Sequence, residues 1–282
     1  MKIRPIHLFL IFFLILAASA FAAEKSAEVM GTTVRVEVAE KDAPELVDQA
    51  LKEVRRLDKL FSRFDPASEI SMINRLAGED SFQISPDTFK VIETAKKINE
   101  LSRGAFDITL GHSEDLLLDE KTRKVYLRRK GIKIDLGGIG KGYAVDSARG
   151  ILLKRGVKSA IIDMRSSIAV IGDGWRVGVL DPKDRNRILG TVILNNGDAL
   201  STSGQYERPG HIIDPRTGKP ADKCLSVTVI TQNAALADAL STAIFILGPS
   251  EGMKIIKLMK NVSVVIVDKS GKVYDNFGFK LR

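Results

Sequence analysis

Apolar residues recur along the chain with two periods, which together predict a mixture of helices and strands. Over residues 44–61 they fall at helical spacing with charges on the opposite face, which predicts an amphipathic helix. Ser85 before Pro86 predicts the start of a second helix, and Gly104 predicts its end. Serine is a favoured N-cap, proline fits the first helical turn, and glycine commonly stops a helix.

The rest of the chain alternates between shorter segments of both kinds. Further helices are predicted over residues 141–155, 234–247 and 250–259. Strands are predicted over residues 33–38, 125–127, 133–136, 159–163, 225–231, 263–268 and 272–274, with a meander of short strands over 168–203. Because helices and strands mix without strict βαβ alternation, the predicted fold class is α+β. We expect one domain with mixed, largely antiparallel sheets flanked by helices.

The N-terminus has the pattern of a secretory signal peptide. Lys2 and Arg4 precede an apolar run over residues 8–18, and Ala20 and Ala22 supply the small residues of a cleavage site. The run is too short to cross a bilayer. We therefore predict a signal peptide over residues 1–22, a mature domain over 23–282 and a periplasmic location. The alternative is an uncleaved anchor that holds the domain on the outer face of the cytoplasmic membrane.

Charge and cysteine content narrow the class of partner. The chain has 43 Lys and Arg against 35 Asp and Glu, a net charge of +8, which favours anionic ligands. The basic residues are scattered and not interleaved with aromatic ones, so nucleic-acid binding is not predicted. Cys224 is the single cysteine, which excludes an intrachain disulfide.

A glycine-rich segment over residues 135–143 stands at a predicted strand-to-helix junction. Its glycines let a backbone approach a ligand closely, and the free amides of a helix start favour phosphate oxygens. Lys141 adds a positive charge for a bound cofactor. The spacing matches neither a Walker loop nor a dinucleotide fingerprint. A tight structural turn explains the segment equally well.

A second segment, over residues 211–220, contains one of the three histidines of the chain. Pro215 and a following glycine predict a rigid turn that presents His211, Asp214 and Thr217 together. A histidine beside a carboxylate suits proton transfer near neutral pH, and Thr217 suits a cofactor contact. The alternative is a histidine that is only packed or exposed.

Two further segments carry oxygen ligands. Asp238 and Thr242 are four residues apart on a predicted helix, so they share one face and suit a hard cation such as Mg²⁺. The alternative is an aspartate that stabilises the helix N-terminus. The small-residue stretch over residues 201–208 offers hydroxyls and Gly204 as a cradle for a ring or a phosphate, or else forms a polar hairpin.

Taken in this order, these segments resemble the ApbE-type FAD:protein FMN transferases. The most specific motifs are Asp-Leu-Gly-Gly-Ile-x-Lys-Gly-Tyr-Ala-x-Asp over residues 135–146 and His-Ile-Ile-Asp-Pro-x-Thr-Gly over 211–218. The resemblance extends over essentially the whole predicted mature chain.

The resemblance implies a cofactor, a substrate and an activity. FAD would bind with its pyrophosphate on one or two Mg²⁺ ions held by the carbonyl of Gly140 and the side chains of Asp238 and Thr242. Contacts to the flavin or adenine would fall on Met30, Asp107, Tyr143, Thr202, Ser203, Gly204 and Tyr206. Family members cleave the pyrophosphate, release AMP and attach FMN through a phosphoester to a threonine or serine of a redox protein. His211 with Asp214 is the candidate base for the acceptor hydroxyl.

The sequence departs from the family pattern in two main places. Where relatives usually carry Gly-Gly-Asp, this chain has Arg165, Ser166 and Ser167, and the stretch after Gly111 is short. A milder change places Gly140 where alanine is commoner. These departures leave two alternatives to transfer: an FAD-binding protein of the same fold, or a metal-dependent FAD pyrophosphatase in which water replaces the acceptor.

Overall fold

The computed structural model describes residues 22–205 and 210–281. In this part of the chain there are six α-helices: α1 Ala43–Phe61, α2 Glu69–Arg75, α3 Pro86–Leu101, α4 Gly140–Lys154, α5 Ala234–Leu247 and α6 Pro249–Leu258. None of the described helices combines the length and the apolar character that a membrane span requires. Of the predicted signal peptide, residues 1–21 lie outside the described residues.

Strands outnumber helices and pair antiparallel throughout. They are β1 Ala22–Val29, β2 Thr32–Ala39, β3 Phe82–Gln83, β4 Leu116–Asp119, β5 Lys124–Leu127, β6 Ala160–Asp163, β7 Ser167–Ile171, β8 Trp175–Asp181, β9 Asp184–Leu194, β10 Ala199–Gly204, β11 Ile213–Asp214, β12 Lys219–Pro220, β13 Cys224–Thr231, β14 Ser263–Asp268 and β15 Val273–Asp275. The main sheet has the order β1-β2-β6-β7-β10-β13-β14-β15, and three small sheets are β3-β5-β4, β8-β9 and β11-β12. The predicted α+β class with largely antiparallel sheets is confirmed.

The core lies between the main sheet and a layer of helices. Helix α1 packs on α4, α4 packs on α5, and α5 lies against β10 and β13. Helix α5 is buried along nearly its whole length, so its polar residues Asp238 and Ser241 are buried with it. An apolar helix that carries buried polar groups must satisfy them inside the protein. We therefore look for the candidate site among the residues that contact Asp238 and Ser241.

Side-chain caps explain where three of the described helices begin. Ser85 is the N-cap of α3, where its hydroxyl accepts a hydrogen bond from the backbone N–H of Thr88 at 3.3 Å. Asn233 caps α5 in the same way through the N–H of Leu236 at 2.7 Å. Helix α2 was not predicted because its seven residues are too few for a clear period, although Ser68 caps it.

The strand predicted over residues 133–136 is wrong. This segment belongs to none of the described sheets, and a side chain bonds the backbone of Ile134 in place of a neighbouring strand. The N–H of Ile134 donates to Oδ1 of Asn74 at 2.6 Å, and Nδ2 of Asn74 donates to the carbonyl of Ile134 at 3.0 Å. The N–H of Asp135 donates to the carbonyl of Ile108. One asparagine therefore takes the place of a strand partner just before the glycine segment.

Candidate functional site

Helices α4 and α5 meet at backbone contact where the glycine segment enters α4. The N–H of Gly142 donates a hydrogen bond to Oδ2 of Asp238 at 3.0 Å. A Cβ at position 142 would lie 2.7 Å from the carbonyl carbon of Ala234 and 2.8 Å from Cβ of Asp238. Only glycine allows this approach, because real Cβ atoms do not come so close to backbone atoms.

Asp238 is a buried carboxylate, only 4% exposed. Its Oδ1 lies 3.1 Å from the hydroxyl of Ser201, which also lies 3.0 Å from the carbonyl oxygen of Ser166. A serine hydroxyl has one proton, so it cannot donate fully to both oxygens. Within residues 22–205 and 210–281, no Lys, Arg or His nitrogen lies within ion-pair distance of this carboxylate. A buried anion is costly without a cation, so the donor set fits a bound metal ion.

Thr242 lies one turn after Asp238 on the same face of α5. Its hydroxyl is 3.0 Å from that of Ser203. A Cβ built on Gly138 would lie 3.3 Å from Oγ1 of Thr242 and 3.0 Å from the ring of Phe106. The glycine turn therefore lies over Thr242, while Gly142 lies on Asp238, and the predicted metal ligand Gly140 stands between these two contacts.

The turn between β6 and β7, where the chain departs from the family pattern, borders the same cluster. Arg165 adopts a left-handed backbone with φ of +63°, a conformation that favours glycine. The carbonyl of Ser166 accepts a hydrogen bond from the N–H of Thr202 at 2.8 Å. The hydroxyl of Ser166 is buried and has no hydrogen-bond partner in the described part of the chain. An orphaned buried hydroxyl beside Ser201 is consistent with a ligand that completes its bonding.

Two of the predicted cofactor residues, Thr202 and Ser203, lie on opposite faces of β10. Ser201 and Ser203 face α5, whereas the hydroxyl of Thr202 lies 2.9 Å from that of Thr228 on β13. Alternate residues of a strand point to opposite faces. Ser203 therefore belongs to the cluster and the side chain of Thr202 does not. Gly204 ends the strand, and Tyr206 lies outside the described residues.

Asp107 shapes its own loop. Its carboxylate accepts hydrogen bonds from the N–H and hydroxyl of Thr109 at 2.8 and 2.6 Å, and from the N–H of Gly111 at 2.9 Å. A Cβ on Gly111 would lie 2.7 Å from the carbonyl oxygen of Pro215. Asp107 thus holds the loop over residues 107–111 against the histidine segment, and its contact with a cofactor stays a prediction.

In the histidine segment, Asp214 pairs with Arg216 and not with His211. Nε and Nη2 of Arg216 contact the two carboxylate oxygens at 2.8 and 2.7 Å. This guanidinium holds the pKa of Asp214 below its usual range. His211 is exposed, and among the described residues it is not a partner of the Asp214 carboxylate. The structure therefore pairs Asp214 with Arg216, which donates to both carboxylate oxygens, and not with the histidine that the sequence predicted beside it. The catalytic roles of both residues stay predictions.

The other predicted cofactor residues are Thr217, Lys141, Met30 and Tyr143. Thr217 is exposed in the turn after Asp214, and Lys141 reaches back to the carbonyl of Gly137 at 3.3 Å. Met30 occupies the turn between β1 and β2 with φ of +53°. The hydroxyl of Tyr143 donates to Asp87 at 2.8 Å, and burial raises the pKa of this phenol. That bond anchors α4 to the start of α3 and gives Tyr143 a structural role of its own.

Another group of possible metal ligands lies apart from Asp238 and is paired with an arginine. His112, Glu114 and Asp115 offer ligand atoms within 4.8 Å of one another. Nη2 of Arg129 lies 3.0 Å from Nδ1 of His112 and 3.4 Å from Oε1 of Glu114, and it also contacts Asp115. The guanidinium of Arg129 already pairs with both carboxylates, whereas Asp238 has no cationic partner among the described residues, so the Asp238 cluster is the better candidate for a metal site.

Sequence reasoning missed two residues of the cluster, Ser201 as an individual residue and Ser241. Ser241 is fully buried and contacts both the carbonyl of Asp238 and the hydroxyl of Ser203. A usable signal was present, since Asp238, Ser241 and Thr242 interrupt an otherwise apolar helix. Buried polar residues at that spacing indicate a shared partner.

Comparison with known proteins places this geometry in a family. The family model described as the ApbE family matches residues 30–123 and 112–266. A FAD:protein FMN transferase of Klebsiella pneumoniae (strain 342) is 28% identical over 295 residues, which cover 91% of this chain and 92% of the relative.

Solved structures agree with the sequence comparison. The crystal structure of the ApbE protein of Thermotoga maritima superposes with a TM-score of 0.84 at 29% identity, covering 91% of this chain and 97% of that one. The flavin transferase ApbE of Vibrio cholerae has the same fold, with a TM-score of 0.82 at 22% identity over 90% of this chain and 96% of that one. Because the family model matches most of the chain, this chain belongs to the ApbE family.

Proposed function

We propose that this protein is an exported, magnesium-dependent FAD:protein FMN transferase. It would cleave the pyrophosphate of FAD, attach FMN through a phosphoester to a threonine or serine of a redox protein at the membrane, and release AMP. The names of its relatives support the class of reaction. The signal-like pattern over residues 1–22 supports export.

The observation that carries the proposal is the buried carboxylate of Asp238, which lies one helical turn before Thr242 and has no cationic side chain to neutralise it among the described residues. Carboxylate, hydroxyl and carbonyl oxygens are the ligands that Mg²⁺ prefers. Asp238, Thr242 and the carbonyl of Gly140 would hold the ion. Bound there, it would neutralise charge on the pyrophosphate, which is otherwise a poor electrophile.

The remaining chemistry falls to residues around the ion. The acceptor hydroxyl oxygen forms a bond to the phosphorus of the FMN half, and the bond from that phosphorus to the bridging oxygen breaks. AMP leaves with the bridging oxygen and the electron pair. His211 is the candidate to take the hydroxyl proton, since an imidazole accepts protons near neutral pH. Asp214, held by Arg216, is a weak base and would act through the shape of the turn.

The turn around Arg165, where the sequence departs from the family pattern, is compatible with the proposed transfer. The turn keeps a left-handed backbone at this position without glycine, and the carbonyl of Ser166 remains bonded to β10. The left-handed turn that glycine would favour is therefore formed with Arg165 in its place.

One assay tests the proposal against its alternatives. The purified protein is incubated with FAD, Mg²⁺ and an acceptor domain that carries a candidate threonine. The masses of all products are then measured by mass spectrometry. An acceptor that gains the mass of FMN, with AMP released, supports transfer. Free FMN with AMP indicates a pyrophosphatase, and intact FAD indicates a binding protein; either result would overturn the proposal. A parallel reaction with EDTA tests the metal.

A further inference from the structure

Three hydroxyl groups form a continuous chain between α5 and β10. Oγ of Ser241 lies 2.9 Å from the carbonyl oxygen of Asp238. Oγ of Ser203 lies 2.8 Å from Oγ of Ser241 and 3.0 Å from Oγ1 of Thr242. Ser203 and Ser241 are buried, so their hydroxyl groups exchange hydrogen bonds with each other and not with bulk water.

The direction of each hydrogen bond in the chain follows from counting protons. A carbonyl oxygen only accepts, so Ser241 must donate its single proton to Asp238. Ser203 must then donate to Ser241, because the proton of Ser241 is already used. Thr242 must in turn donate to Ser203. The chain therefore runs in one direction, from Thr242 to the backbone of Asp238.

This direction determines what the hydroxyl of Thr242 offers to a ligand. Its proton is committed to Ser203, so the lone pairs of Oγ1 are left for a cation. A hydroxyl whose proton is free to rotate has to be reoriented before it can bind a metal ion. Groups behind a metal ligand that hold its orientation commonly contribute to affinity.

We propose that Ser203 and Ser241 are positioning residues that hold Thr242 as a lone-pair donor to the divalent cation, an inference that rests on the proposed metal site. Ser241 is the more informative of the two, because its hydroxyl is two hydrogen bonds away from Oγ1 of Thr242. Without the Ser241 hydroxyl, Ser203 is free to donate to Thr242 instead, which reverses the chain and turns the threonine proton outwards.

The test measures Mg²⁺ binding directly and does not depend on an acceptor. Mg²⁺ is titrated calorimetrically into the full mature chain, stripped of metal and loaded with FAD. Relative to wild type, Ser241→Ala and Ser203→Ala should each weaken Mg²⁺ binding by about tenfold. The double variant should bind Mg²⁺ no more weakly than Ser203→Ala alone, because the first break already interrupts the chain.

A matched control removes a buried hydroxyl elsewhere. Thr88 is fully buried at the start of α3, where its hydroxyl lies 3.2 Å from that of Ser85. Thr88→Val should leave the Mg²⁺ affinity unchanged even where it lowers the melting temperature. Melting temperatures of all variants in EDTA separate loss of folding from loss of binding. If Ser241→Ala does not fold, Ser203→Ala supplies the measurement.

The outcomes are distinct. Wild-type Mg²⁺ affinity in both folded single variants overturns the positioning role and leaves the metal site standing. Additive losses in the double variant also overturn it, because they indicate two independent packing effects. Absence of Mg²⁺ binding by the wild-type chain overturns the proposed metal site and this inference together.

Discussion

The backbone N–H of Gly142 donates a hydrogen bond to the carboxylate of Asp238 across 96 positions of sequence. This bond joins the start of α4 to the first turns of α5. It also brings the glycine segment to the same place as Ser201 and Thr242. The packing of α4 against α5 therefore also brings the residues of the candidate metal site together.

Glycine at position 142 is required by that approach, whereas glycine at position 140 is not. Gly142→Ala should lower the free energy of unfolding by about 3 kcal/mol, since its Cβ would meet the backbone of Ala234. A Cβ at position 140 would lie 3.7 Å from Leu136 and 3.8 Å from Phe61, which are ordinary contacts. Gly140→Ala should therefore raise stability by about 0.5 kcal/mol. Urea denaturation of the pair checks this, and equal effects would contradict it.

Asp238 should matter more for activity than for stability. Asp238→Asn keeps the size of the side chain and an oxygen for Gly142 or Ser201, but it removes the negative charge. We expect FMN transfer to fall by more than about 100-fold, through lost metal affinity, while the fold is retained. The rate of mass gain by the acceptor and a circular dichroism melt measure the two effects. A variant with the wild-type rate would show that the metal ligands have been misassigned.

The left-handed backbone of Arg165 should cost stability. Arg165→Gly and Arg165→Ala both remove the side chain and its contacts, so their difference reports on the backbone alone. The glycine variant should be more stable than the alanine variant by about 1 kcal/mol, because a left-handed conformation is strained for residues with a Cβ. Chemical denaturation of the two variants measures this difference. Equal stability would mean that the turn relaxes to another conformation.

The ion pair of Asp214 and Arg216 should make stability depend on pH. The pKa of Asp214 is lowered in the folded protein, so the pair stabilises the fold above the unfolded pKa of about 3.9. This contribution is lost as the pH falls through the folded pKa. Arg216→Gln should therefore be less stable than wild type at pH 7, with a difference that shrinks below about pH 4. Urea unfolding across this range tests the sign, and carbon NMR of Asp214 should show its pKa raised in the variant.

The local pattern of apolar and polar residues in the sequence predicted most helices and strands of this protein. Short local motifs indicated its family. Helical spacing predicted α1, and the helix predicted over residues 234–247 is α5 as observed, because an apolar stripe and a cap are properties of neighbouring residues. The motifs around Gly138 and His211 identified the family for the same reason, since each lies within one short segment. The placement of Asp238 and Thr242 on one helix face also followed from spacing alone.

Tertiary structure alone decided which polar groups meet. Asn74 completes the backbone of Ile134 from 60 positions away, Arg216 takes the carboxylate expected to face His211, and β10 turns Ser203 but not Thr202 towards α5. Each choice depends on how distant elements pack, because a buried polar group bonds to whatever the fold brings within 3 Å, wherever it lies in the sequence. The hydrophobic period of a segment shows which of its faces is buried. It does not show which hydrogen-bond donor from a distant element contacts that face.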